Sequence, residues 1–362
     1  MEKFIKMFLT AMLVIAGGVS AQINWRADNI TITTEAQLRE LATLVNNGTR
    51  DFSGQTIILA NDINLVNGNW TSIGWIQEGP GENITKFPFN GTFDGNGNAV
   101  RGLEISTTNS YQGFFGLSRG AIKNLGVIGK IKGGYPAGGL VGINYGGTIS
   151  NCYATVEVIG EEGIGGLVGV NYGGTITNCY ATGNVGTFFW KESVGGLVGS
   201  NDGTITNCYA TGNVNGKESV GGLVGSNDGT ITNCYATGNV NGEESVGGLV
   251  GSNYGGAITN CYATGNVNGE ESVGGLVGSN IDSVDKSNSY GTIINSYVLI
   301  GTSGRLVGLN EKEGRLVNSG FKTLTQMRQQ NTFVGWDFTN IWQINANTNN
   351  GFPHLRNVGA GR

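Results

Sequence analysis

The sequence predicts an all-β fold: a right-handed parallel β-helix of about nine or ten rungs, with a short N-terminal capping helix and a C-terminal aromatic cap. Three observations carry this. Gly-Gly-Leu-Val-Gly recurs at Gly138, Gly165, Gly195, Gly221, Gly247 and Gly274, and Gly-Arg-Leu-Val-Gly follows at Gly304, at intervals of 26–30 residues. Asn-Cys-Tyr-Ala-Thr follows each of the first five, at Cys152, Cys179, Cys208, Cys234 and Cys261. Within a unit such as residues 219–242, short runs of β-branched and aromatic residues are separated by Asn-Asp-Gly, Thr-Gly-Asn and Asn-Gly. Those separators are turn chemistry, because Gly and Asn tolerate positive φ.

Glycine recurs too often in the unit for a helix, and a propeller blade needs about 40–45 residues. Three short strands and three turns therefore make one triangular rung. Rungs stack about 4.8 Å apart, giving a rod on the order of 45–50 Å long. Glycine makes up 65 of 362 residues, yet 38% of the chain is hydrophobic and regularly placed, which argues against disorder. Only 13% is charged, with a net charge of −5, so a nucleic-acid partner, which wants a basic face, is not expected.

Taken from the N-terminus, residues 1–21 resemble an export signal: Lys3 and Lys6, an apolar run over 7–19, and Val19-Ser20-Ala21 before Gln22. No later stretch is apolar enough to span a bilayer, so the expected location is extracellular or on the cell surface. Residues 22–54 form the N-terminal cap, a strand plus a helix. Thr34 and Gln37 make a capping box, Leu38, Leu41, Ala42 and Val45 fall on one helical face, and Asn47-Gly48 stops it.

The β-helix covers residues 55–320. Stacking turns equivalent residues into columns, so Ile205, Cys208, Ala210 and Val214 are expected to point inward. The five cysteines then form an internal column of free thiols, small hydrophobes rather than crosslinks, and Ser296 and Ser319 replace them in the last two units. The column Asn151, Asn178, Asn207, Asn233, Asn260, Asn295 and Asn318 is expected to be a hydrogen-bonded corner ladder. Residues 321–362 form the C-terminal cap, with a short helix near Leu324 and the aromatics Phe333, Trp336, Phe338 and Trp342.

Thr34-Glu-Ala-Gln-Leu, Asn61-Asp-Ile-Asn-Leu with Trp70, and Phe89-Asn-Gly-Thr-Phe-Asp-Gly-Asn-Gly resemble the entry region of GLUG-motif proteins. The Gly-Gly-Leu-Val-Gly units are similar to the motif itself, and Gly335-Trp-Asp-Phe with Phe352-Pro-His-Leu to the family's closing segment. The resemblance implies a bacterial secreted or surface β-helix. Such repeats occur in adhesins and beside the catalytic domain of immunoglobulin A-cleaving metallopeptidases.

A zinc peptidase site of that kind needs two histidines on one helical face, and this chain has one, His354. Asp94-Gly-Asn96-Gly imitates a calcium loop, but Ala99 and Ile105 stand where Gly and Glu are required, which leaves a turn. No catalytic residue, metal ligand or cofactor is therefore assigned. A polysaccharide lyase or hydrolase would need converging charged groups in the departures at 76–88, 186–191 or 281–290, where Asp282 and Asp285 come nearest.

The expected function is a non-catalytic, adhesin-like scaffold whose partner is an extracellular glycan or a host or cell-surface protein. Its candidate contacts are the outward column Tyr153, Tyr180, Tyr209, Tyr235 and Tyr262, and the loop Phe188, Phe189 and Trp190. A turn stripe of Glu162, Glu192, Glu218, Glu244 and Glu271 is expected to be solvated. Outward threonines at Thr175, Thr204 and Thr230 leave ice binding as a remote alternative, against which Ala257 counts.

Overall fold

The computed structural model describes residues 23–66, 68–78, 84–187, 193–281, 291–310 and 314–359. The proposed signal and the loop at 188–190 lie outside them. The described chain is a parallel β-solenoid. One level runs through the strands Glu218–Gly221, Val224–Asn227, Thr230–Thr232, Tyr235–Ala236 and Val240–Asn241. Each pairs in parallel with its equivalent one level on: Val224 with Val250, Thr230 with Ala257, Tyr235 with Tyr262 and Val240 with Val267. The Thr-Ile-Thr sheet holds 11 strands, one per level, and so counts the levels.

The level has four sides rather than the three expected. Sheets of 11, 14, 8 and 6 strands stack along the rod, the largest holding both the Tyr-Ala and the Val-Asn strands. The extra corner is the Gly-Gly-Leu turn. A Cβ on Gly221 would lie 1.9 Å from the Val224 carbonyl oxygen, and one on Gly222 2.1 Å from the Gly248 carbonyl oxygen of the next level. Only a bare backbone turns there, which is why two glycines open each of the six Gly-Gly-Leu-Val-Gly repeats. The opposite corner is the expected asparagine: Asn233 has φ 54° and Asn207 φ 53°.

Inside, Val220, Leu223, Val224, Ile231, Cys234, Ala236 and Val240 are all fully buried. The five cysteines are free and buried, as the column model requires. Each thiol serves the stack: Cys179 Sγ donates to the Thr177 carbonyl at 3.1 Å and accepts from the Cys152 amide at 3.4 Å. Burial pushes the Cys179 and Cys234 thiols up, so they behave as packing groups.

The corner asparagines form the expected ladder. Asn207 Nδ2 donates to Asn178 Oδ1 at 3.2 Å, and Asn233 Nδ2 to Asn207 Oδ1 at 3.2 Å. A second, unexpected ladder runs through the interior. Asn144, Asn171, Asn201, Asn227, Asn253, Asn280 and Asn310 each pass an amide hydrogen to the next at 2.8 Å. Their second amide hydrogens reach turn carbonyls such as Gly174 and Gly229, satisfying groups that burial would otherwise make costly.

At the N-terminal end, helix α1 (Glu35–Asn46) carries the capping box at Thr34 and Gln37. It buries Leu38, Leu41, Ala42 and Val45, each large side chain contributing about 1.5–3 kcal/mol of transfer free energy. The strand before it, Asn29–Ile32, pairs with Thr56–Leu59 and is the first level of the solenoid.

The C-terminal aromatic cluster lies along the side of the rod. Met327, Phe333, Trp336, Trp342, Phe352, Leu355 and Val358 gather there against Tyr235, Tyr262 and Tyr297. Leu316, in the inward column of the last level, is 44% exposed, whereas Ile293 one level earlier is buried. The aromatic strap lies on the side because the outward tyrosines offer it a ready apolar surface there.

Candidate binding surfaces

The tyrosine column forms one continuous stack outside the barrel wall. Successive rings from Tyr153 to Tyr262 lie 5.1, 4.9, 4.8 and 5.0 Å apart, with interplanar angles of 6°, 3°, 8° and 5°. As a contact surface for a partner, two of its five tyrosines must be corrected. Tyr235 is 4% exposed and Tyr262 not at all, because the chain's own strap covers them. Trp342 sits 6.1 Å from both rings. Tyr153, Tyr180 and Tyr209 are half-buried. Burial, with Tyr180 alongside, pushes the Tyr209 phenol well up from its ordinary value.

The aromatic loop Phe188, Phe189 and Trp190 lies outside the described residues, as do Glu192, Asp282 and Asp285. The acidic stripe is in register, Glu218 beside Glu244 and Glu244 beside Glu271. Lys217 reaches Glu243 at 3.0 Å and relieves part of that charge. Among the described residues, no three His, Cys, Asp or Glu side chains gather as a metal site would need. Asp94 ends the strand Thr92–Asp94 ahead of a turn, accepting from the Asn96 amide at 2.8 Å and pairing with Lys123. His354 sits in the strap hairpin, opposite Gln343.

Two surfaces escaped the sequence reading. The first is an exposed aromatic pair, Tyr145 and Tyr172, stacked at 4.9 Å. The Arg119 guanidinium stands 4.6 Å and the Lys86 ammonium 5.4 Å from the Tyr145 ring. The second is a cleft of about 880 Å³ near the N-terminal end, between residues 69–76 and 105–112, a size that suits a small ligand.

The cleft is built from three separate stretches of chain. Asn46, the last residue of α1, accepts from the Gly74 amide at 2.7 Å and donates to the Ser72 carbonyl at 2.9 Å. Its own carbonyl takes the Trp75 indole N–H at 2.9 Å. Ser72 Oγ donates to Gln112 Oε1 at 3.2 Å and accepts from the Gly113 amide at 3.3 Å, tying the two walls together. Tyr111 at the lip has φ 63°, a left-handed conformation costing a non-glycine residue of this kind about 1–3 kcal/mol. The described lining residues are amides, hydroxyls and aromatics with Ile76 and Ile105, and none of them is a carboxylate or a cation.

Fold and surfaces together define a parallel β-solenoid repeat protein with a helical N-terminal cover and a lateral aromatic strap. Its central repeats match the GLUG motif, at residues 133–159, 160–186, 192–215, 216–241 and 242–268. No curated protein sequence matches it. Among solved structures, it is similar to a Bacteroides ovatus protein provisionally named an immunoglobulin A1 protease. That match has 23% identity and a TM-score of 0.55, and covers 91% of this chain and 92% of the other. A structure named IgA1 protease is 16% identical with a TM-score of 0.35, over 74% of this chain and 21% of that one. At these identities the first likeness concerns the fold alone.

Proposed function

We propose that the chain is a non-catalytic, adhesin-like scaffold, exported by its N-terminal signal, that contacts glycan or protein surfaces outside the cell. One observation carries this reading: outward polar side chains repeat from level to level. Asn241 Nδ2 donates to Asn215 Oδ1 and Asn268 Nδ2 to Asn241 Oδ1, both at 2.9 Å and both exposed. Thr155 and Thr182 share a 2.9 Å hydrogen bond beside them, and Thr175, Thr204 and Thr230 stand in register on the next face.

Such an array meets an extended partner at many equivalent weak points, whose effects multiply when they engage together. Catalysis asks for the opposite, unlike groups converging on one reacting atom, which copies of one level do not supply. The loop Phe188-Phe189-Trp190 and the exposed Tyr145–Tyr172 pair add aromatic contact points to the polar array.

The experiment compares binding with turnover. Beads carrying the mature chain are tested for retention on mucin and epithelial cells. The free chain is incubated with polysaccharides and with immunoglobulin A1. Retention without reducing-sugar release or antibody cleavage is expected; release or cleavage by the purified chain overturns the reading.

A further inference from the structure

We propose that the cleft beside Trp75 is a binding site for a neutral oligosaccharide, with the Trp75 indole as the platform on which one sugar ring stacks. The proposal rests on the scaffold reading and gives it a discrete site.

Trp75 is placed as a platform should be. Trp70, Trp336 and Trp342 are buried, whereas Trp75 is 38% exposed. Its ring is nevertheless held fast. The indole N–H is fixed on the Asn46 carbonyl, and Phe87 stacks against it at 5.9 Å and 16°. A ring already fixed before the ligand arrives loses little freedom on binding. Its negative π-face attracts the slightly positive C–H bonds on the apolar side of a pyranose.

The polar lining fits the other side of the sugar. Asn69, Thr71, Thr108 and Asn109 are exposed in the cleft. Each amide offers a donor and an acceptor, and each hydroxyl serves as either, matching neighbouring sugar hydroxyls. Among the described lining residues none carries a charge, so a ligand carboxylate or sulfate would lose water without gaining a counterion from them. That selects neutral oligosaccharides over uronate, sialylated or sulfated ones. The same lack of carboxylates leaves no acid and base to break a glycosidic bond; the cleft holds its ligand intact. A second hollow, about 440 Å³, shares Asn46, Trp70 and Thr71 with the first and adds Arg39, whose charge Glu35 meets at 2.8 Å, so the site extends beyond one sugar ring.

The test is a glycan array of neutral, sialylated, sulfated and uronate-bearing oligosaccharides, followed by calorimetric titration of the strongest neutral binder. Trp75→Ala is expected to weaken that binding tenfold or more, and Trp75→Phe to restore most of it. Because Trp75→Ala also removes the bond to the Asn46 carbonyl, Thr108→Ala with Asn109→Ala serves as the second variant. It is expected to weaken binding at least fivefold with an unchanged melting temperature.

Neutral binding that survives both cleft variants overturns the site while leaving the scaffold reading standing. Preference for acidic glycans, preference for a peptide ligand, or no glycan bound at all overturns it equally. Loss of retention on cells and mucin by the unaltered chain is the separate result that removes the scaffold reading.

Discussion

Tyr262 donates its phenolic hydrogen to the carbonyl of Pro353, 91 residues away in sequence. Asn349 Nδ2 donates to the same phenol at 2.6 Å and to the same carbonyl at 2.9 Å. This triangle fastens the strap to the rod, and Trp342 lies buried beside it. Tyr262→Phe is expected to cost about 1 kcal/mol, one buried hydrogen bond whose acceptor keeps a second donor. Trp342→Ala is expected to cost about 3–5 kcal/mol, as loss of a buried aromatic does. Denaturant unfolding followed by intrinsic fluorescence checks both; equal effects would mean the strap is held by that bond alone.

The cysteine column predicts chemistry as well as packing. Thiol titration of the denatured, unreduced protein is expected to return all five cysteines. In the native state they are expected to react slowly, since all are buried. Cys208→Ala is expected to cost about 1–2 kcal/mol through lost packing. Two disulfides in the folded protein would contradict the stack.

The two asparagine settings differ in depth and should differ in cost. Asn227 is buried and bonded on both sides within the ladder, so Asn227→Ala strands an amide and an acceptor and is expected to cost about 2–3 kcal/mol. Asn241 sits in an exposed ladder, and Asn241→Ala is expected to stay within about 0.5 kcal/mol. Thermal unfolding of the pair decides it.

Strap stability should depend on pH through His354. Burial, with Arg356 beside it, lowers its pKa from 6.5. The folded state therefore favours the neutral ring, and the unfolded state takes up the proton first. Stability contributed by the neutral form is whole above about pH 6.5 and declines as pH falls below that value. Tryptophan fluorescence during unfolding at pH 7.5 and 5.5 is expected to show weaker strap protection at the lower pH. His354→Gln should flatten that difference.

Export is expected to remove residues 1–21. Mass spectrometry of the protein recovered outside expressing cells should find Gln22 at the N-terminus; an intact Met1 there would contradict the signal.

Elements that repeat were legible in the sequence, because each was stated several times. Cys152 to Cys261 announced the inward column, Asn151 to Asn318 the corner ladder, and Thr34 with Gln37 the capped helix. The fourth side was missed because Gly221-Gly222 looks like another flexible turn. Only the approach of the next level's backbone shows that it is a corner. The inner ladder was missed because Asn201 and Asn227 sit before Asp-Gly, where asparagine is ordinary turn chemistry. The strap's aromatics foretold a cover but not which surface they would cover. The cleft was illegible for a different reason: Asn46, Trp75 and Asn109 are single residues from three stretches, brought together only by folding, with no motif to mark them.

The strap rests on a surface that repeats step by step from Tyr153 to Tyr262. Gain or loss of one level, as unequal recombination between near-identical coding repeats would produce, slides a different tyrosine into each place without changing what Trp342 or Met327 touches. Helix α1 covers the other end, several levels away, and is equally indifferent to the count. The rod can thus lengthen or shorten by whole central levels while both of its fastenings, and the cleft beside Trp75, keep their structure.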